Sequence, residues 1–180
     1  TLSALAEGTQ WHQFENLQYE VAELRRHAPI AGYVVTELTD ATWEANGLLT
    51  LDREPKVFHH RLADVNAADA AVTTLQHRDL AGGAVTEVPF WVSAYGPPAE
   101  RGAVEWWLEP AAGPSRHGHL PIEDWPHHSA VAAGTALVDV PSVDAVTDAR
   151  LRWVLRDDTG AVRSGDELRL SSIKAGHVWV

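Results

Sequence analysis

The chain contains no cysteine and no methionine. Without cysteine there are no disulfides, and the redox compartment cannot be read from thiol usage. Position 1 is Thr, not Met, so the expectation is a chain that continues upstream. Positive charge is also scarce: 14 Lys and Arg stand against 25 Asp and Glu, a formal charge of −11. Binding phosphate backbones or anionic headgroups needs clustered Lys and Arg, and the longest basic cluster is Arg25-Arg26 with His27 beside it. Nucleic acid and membrane are therefore not expected as partners, and the acidity otherwise speaks only of solubility. No run approaches the roughly 18 apolar residues of a spanning helix, and no charged-then-apolar leader is visible. A Gly-rich phosphate loop, a Gly-x-Ser-x-Gly elbow and a dinucleotide fingerprint are all missing, so no cofactor is expected.

What is present falls into two regimes that change near residue 66. In the first, Trp11, Phe14, Leu17, Val21 and Leu24 recur at spacings of three and four, one stripe of an amphipathic helix. Thr9 is its expected N-cap, Arg25, Arg26 and His27 suit its negative end, and Pro29 stops it. "IAGYVVTELT" follows, a short β-branched run apolar on both faces, which predicts a buried parallel strand. "PKVFHHRLADVN" then predicts a second helix with Val57, Phe58, Arg61, Leu62 and Val65 inward. Helix, buried strand, polar loop, helix is the pattern of a parallel α/β fold, but one strand cannot make a sheet.

After residue 66 the period is two. Val88, Phe90, Val92 and Ala94 alternate with polar or outward residues, as do Val104, Trp106 and Leu108, and Leu151, Trp153 and Leu155. These are half-buried antiparallel strands, separated by the turn sequences "GPPAERG", "PAAGPSRHG" and "RDDTGAV". The prediction for 67–180 is an immunoglobulin-like β-sandwich, joined to residues 1–66 through the linker "NAADAA".

Function is expected at the carboxyl end of the predicted strand, where side chains leave a parallel sheet. Thr36, Glu37, Asp40, Trp43, Glu44 and Asn46 lie there. An indole stacking on a pyranose, with carboxylates and amides on its hydroxyls, is a common sugar site. The same residues also serve a plainer purpose: Trp43 as a rim cap, Asp40 and Asn46 as turn formers.

The order of these residues carries a resemblance. "GYVVTELTD", the return "NGLLTLDREPK" and the preceding "LQYEVAELRRH" resemble the last barrel strand, its loop and the helix before it in family 2 glycoside hydrolases, the group of β-galactosidases, β-glucuronidases and β-mannosidases. The closing "LRWVLRDDTGAVRSGDELRL" is similar to the β-sandwich that follows the barrel in that family. The resemblance implies a mainly β chain: an immunoglobulin-like β-sandwich preceded by the last helix–strand–helix of a (β/α)8 barrel. The rest of that barrel, or self-association through unpaired strand edges, would be its partner, and a carbohydrate its substrate.

Two departures matter. Many members place a Trp on the last strand, where this chain has Thr36. Glucuronidases carry Asn-x-Lys where this chain has Glu44, Ala45 and Asn46, so a uronate would meet Glu44 and be repelled. A neutral, galactoside-like sugar is expected instead. Retaining hydrolysis needs two carboxyl groups about 5 Å apart, which the family carries in an Asn-Glu pair and at the end of a later apolar strand. Neither motif occurs here: Glu7 has no strand before it, and Glu15-Asn16 is in reverse order on a helix. The catalytic pair is expected upstream, and the chain alone is expected to be inactive. A substitute pair among Glu37, Asp40 and Glu44 has no support in their spacing.

Other features fit plainer or different readings. His117, His119, His127 and His128, near Glu123 and Asp124, have zinc-ligand chemistry but sit among turn residues, and no metal is assigned. Trp91 and Trp107 face away from the predicted core. They would serve either as a patch docked against the barrel or as a carbohydrate-binding face, the latter making the chain a non-catalytic binding or interaction module.

Overall fold

A computed structural model describes residues 1–75, 77–111 and 113–174. Helix α1 spans Leu2–Arg25, longer than the apolar stripe requires. The cap is Thr1, whose side chain accepts from Ala4 N, and not Thr9. Leu, Ala and Glu between them are strong helix formers, so helix propagates past the point where burial begins. That first third is unsupported: Leu2 is 87 % exposed and Leu5 64 %.

The predicted strand does not form. Residues 31–38 join no sheet, and Val34 is 92 % exposed. Their described backbone contacts are Leu48 N to Glu37 O and Leu49 N to Leu38 O, at one end only. The apolar pattern of a strand is present, but among the described residues no strand pairs with it. The second helix is also shorter than predicted, a 3₁₀ turn over His59–Arg61 followed by α2 at Leu62–Val65. Its inward residues hold nonetheless, with Phe58 fully buried and Val65 nearly so.

From residue 69 the molecule is a two-sheet β-sandwich. Strands β1 (Asp69–Thr73), β3 (Val85–Ala94) and β6 (Ser129–Asp139) form one sheet. The other runs β2 (Asp79–Ala81), β8 (Val162–Ile173), β7 (Thr147–Asp157), β4 (Gly102–Pro110), β5 (Arg116–Ile122). All neighbours are antiparallel except β2 with β8. The alternation read from sequence places Val88, Phe90, Val92, Val104, Trp106, Leu108, Leu151, Trp153 and Leu155 between the sheets. Trp153 joins the layers: its indole meets Phe90 edge-on at 5.6 Å and its N–H donates to Ala71 O at 2.8 Å. β1 begins inside "NAADAA", so the expected linker shrinks to residues 66–68.

The short connection is pinned. Arg25 donates to Ala67 O at 2.7 Å and Ala68 O at 3.1 Å, which fixes the junction against the end of α1. Burial is the main influence on this guanidinium and lowers its pKa, outweighing the opposing effects of Tyr33, Asp69 and Tyr95. Further along, Gln18 Nε2 donates to both carboxylate oxygens of Asp166 and to Glu167 O. Arg61 reaches Asp166 at 2.6 Å and Glu167 at 3.0 Å. Burial works against the Arg61 charge, but its bond to Asp64 and the charges of Asp166 and Glu167 outweigh it, so its pKa is raised. A small apolar contact, Ala22 with Ala70 and Val72 beside Trp91, completes the seam.

Candidate functional site

The six residues singled out in the sequence all sit on one irregular loop, and hydrogen bonds explain its shape. The limb 37–40 runs beside 47–49: Leu48 N donates to Glu37 O, Leu49 N to Leu38 O and Asp40 N to Leu49 O. The limbs approach so closely that a Cβ on Gly47 would lie 2.3 Å from Asp40 N and from the carbonyl carbon of Thr39. Only glycine fits there. At the tip Ala41 and Glu44 exchange backbone bonds of 3.0 and 2.9 Å, with Thr42 in the left-handed region at φ 53°.

A groove of about 530 Å³ separates this loop from α1. Thr36 and Asn46 line it together, opposite His12, Gln13, Asn16 and Glu20 on the helix. Trp43 and Glu44 do not line it; they stand at the tip, with Trp43 87 % exposed. Glu37 is half-buried, and its Oε1 is shielded from solvent with no hydrogen-bond partner among the described residues. Such an oxygen lacks the donor that would offset its desolvation. Asp40 is turned inward, where its Oδ1 accepts from Lys56 Nζ at 2.8 Å and from Gly47 N at 2.9 Å. The structure thus joins Thr36 with Asn46, aims Asp40 into the protein, and leaves Trp43 and Glu44 apart from both.

Lys56 and Gln13 were not singled out in the sequence. The Lys56 side chain is 1 % exposed, and Gln13 Nε2 donates to Asn46 O at 2.7 Å and Gly47 O at 2.9 Å. The available signal was a lone lysine closing an acidic loop just before the apolar turn of Phe58.

The tryptophan platform is corrected. Trp91 lies on β3 beneath Arg26, whose guanidinium sits 5.4 Å from the ring centroid, and packs with Ala70, Ala22 and Val72. Trp107 lies on β4 in the other sheet, paired with His117 and Arg152. Both face away from the core shared by the sheets, so they stand on opposite sides of the sandwich and cannot form one binding face. His117 and His119 share a face of β5, and His127 and His128 rings lie 4.4 Å apart in the following loop. No group of three or more His, Asp or Glu among the described residues is arranged to hold a metal ion.

No protein-family model and no curated protein matches the sequence. Solved structures do match in fold. The exo-chitosanase CsxA of Amycolatopsis orientalis superposes with a TM-score of 0.67 at 15 % identity, over 95 % of this chain and 20 % of that one. Its variants bound to PNP-β-D-glucosamine give a TM-score of 0.70 at 16 % identity with the same coverage. This chain therefore spans about a fifth of the length of the structures it matches. Because nearly all of it aligns, the likeness takes in the N-terminal helix and loop as well as the sandwich, and at this identity it is a likeness of fold.

Proposed function

We propose that this chain is the C-terminal part of a retaining glycoside hydrolase of the family 2 type, with residues 1–66 as the closing segment of its (β/α)8 barrel. The sandwich acts as scaffold, the 36–46 loop supplies sugar-contacting residues, and the catalytic carboxylates lie on chain outside this one. The observation that carries this reading is the segment 31–38, which joins no sheet. It has the apolar pattern of an internal parallel strand, yet among the described residues its backbone has no partners over 31–36 and is bonded only at its end, by Leu48 N and Leu49 N, in a chain whose fold matches one fifth of a glycosidase. The remaining barrel strands are the natural occupants of its edges, and a second copy of this chain is the substitute when they are absent.

For the sugar, Thr36, Glu37, Trp43, Glu44 and Asn46 remain the proposed contacts, with a neutral galactoside as the first reading; Asp40, proposed with them from the sequence, is turned inward onto Lys56 and Gly47 N and is withdrawn as a contact. One observation favours an amino sugar instead: Glu44 is exposed and takes part in no ion pair among the described residues, and the matched enzyme was solved with a glucosamine derivative. An ammonium group on the sugar would supply the missing donor.

The test is to assay the full-length protein on p-nitrophenyl β-D-galactoside and β-D-glucosaminide, following the anomeric configuration of the first product by NMR. Turnover with retention supports the reading, and this chain by itself should show none. Preference for the glucosaminide, weakened by Glu44→Gln, selects the amino sugar. Inversion, or turnover by this 180-residue chain alone, defeats the proposal.

A further inference from the structure

Lys56 is one of only two lysines in the chain, and it is buried to 3 % exposure beside a small apolar cluster. An ammonium group carries three donors, and each is matched. Nζ lies 2.9 Å from Gln13 Oε1, 2.8 Å from Asp40 Oδ1 and 3.0 Å from Ala45 O. The three acceptors come from three places: α1, the outgoing limb of the loop, and the returning limb beyond its tip. Asp40 and Gln13 extend the node, holding Gly47 N and the carbonyls of Asn46 and Gly47.

Burying an ion pair is a poor way to gain stability, because apolar groups of similar volume serve as well or better. What a buried charge with three fixed acceptors does well is discriminate: another loop conformation leaves the ammonium unpaired in a dry site. We infer that Lys56 is the positioning residue of the 36–46 loop, and that by fixing Asp40, Ala45 and Gln13 it sets the aim of Glu37, Trp43 and Glu44. Asp40 belongs to this lock. The inference deepens the sugar-site reading and rests on it for its purpose, but the loop geometry is measurable with no sugar present.

The experiment is ¹⁹F NMR on this chain labelled with 5-fluorotryptophan, with the Trp43 line identified by Trp43→Phe. Lys56→Met keeps the length of the stem and removes the charge. The expected result is a displaced or multiplied Trp43 line, while the lines of the core residues Trp106, Trp125 and Trp153 stay in place. Asp40→Asn, which leaves an acceptor for Gly47 N, should move the Trp43 line in the same sense by less, and it decides the matter if Lys56→Met does not fold. A Trp43 line unchanged in a folded variant overturns the proposal. So does equal displacement of all the tryptophan lines, which would make Lys56 a general structural residue. The sugar reading fails separately: a wild-type Trp43 line indifferent to both D-galactose and D-glucosamine counts against the sugar site, while the response to Lys56→Met still reports on the lock.

Discussion

The two parts of the molecule are held together by different forces. Between the sheets, twenty buried apolar residues form one continuous core. Under α1 the corresponding cluster has four, Phe14, Val21, Phe58 and Val65. Stacking of Phe14 on Phe58 at 5.4 Å does not make up the difference. Ions and amides do much of the remaining work there, through Arg25, Arg61, Gln18 and Lys56. Apolar burial is non-directional and scales with area, so the sandwich carries its own stability. Hydrogen-bonded charges contribute little net energy but fix geometry, so the N-terminal part is shaped without being strongly stabilised. A defined shape, a thin core and an exposed apolar segment are what the proposed barrel reading expects of this region.

The comparison is broken most forcefully from the sandwich side. Trp153→Ala empties the centre of the core and orphans Ala71 O, at an expected cost of about 3–5 kcal/mol. Urea unfolding followed by far-UV circular dichroism should show loss of the cooperative transition, or a midpoint lowered in proportion. A loss below about 1 kcal/mol would mean the core is not the main support. Next comes the seam. Arg61→Ala leaves Asp166 buried, where burial already pushes its pKa up, and should cost about 3 kcal/mol. Hydrogen exchange should then quicken in α1 and the 36–56 loop while β3, β4 and β7 keep their protection. Uniform quickening would show that the two parts unfold as one.

The smallest effect is on acid stability. The Thr159 hydroxyl, with Arg163 and the backbone N–H groups of Ala161 and Thr159, holds the Asp157 carboxyl down to about 2, against an ordinary 3.8. Between those values the unfolded chain binds more protons than the folded one. The contribution is therefore complete above about pH 4 and is lost as pH falls through about 2. Asp157→Asn should flatten the stability profile in that window and leave its shape near pH 7 unchanged. An acid limb identical to that of the wild type would remove Asp157 from the account.

Where side chains alternate between a core and solvent, local pattern is enough, and β3, β4 and β7 could be read directly. β6 could not, because "SAVAAGTALVD" is small and exposed through most of its length and shows no clear alternation. β1 is hidden in an Ala-rich stretch that reads as a linker, since all five of its residues are buried and nothing marks a face. Of the candidate site, the sequence marks the loop but not its internal order. Asp40 looks as available as Glu44 in a string of letters. Only the position of Lys56, sixteen residues later, shows Asp40 held inward and Glu44 exposed at the tip.

By itself the sequence determined the two regimes, the apolar faces and the charge balance, because these depend on neighbours within a turn or a strand. The tertiary structure alone decided that residues 31–38 join no sheet, that Trp91 and Trp107 face apart, and that one lysine gathers three segments of the loop and helix. Each of these depends on which distant backbone lies alongside, and side-chain periodicity carries no information about that.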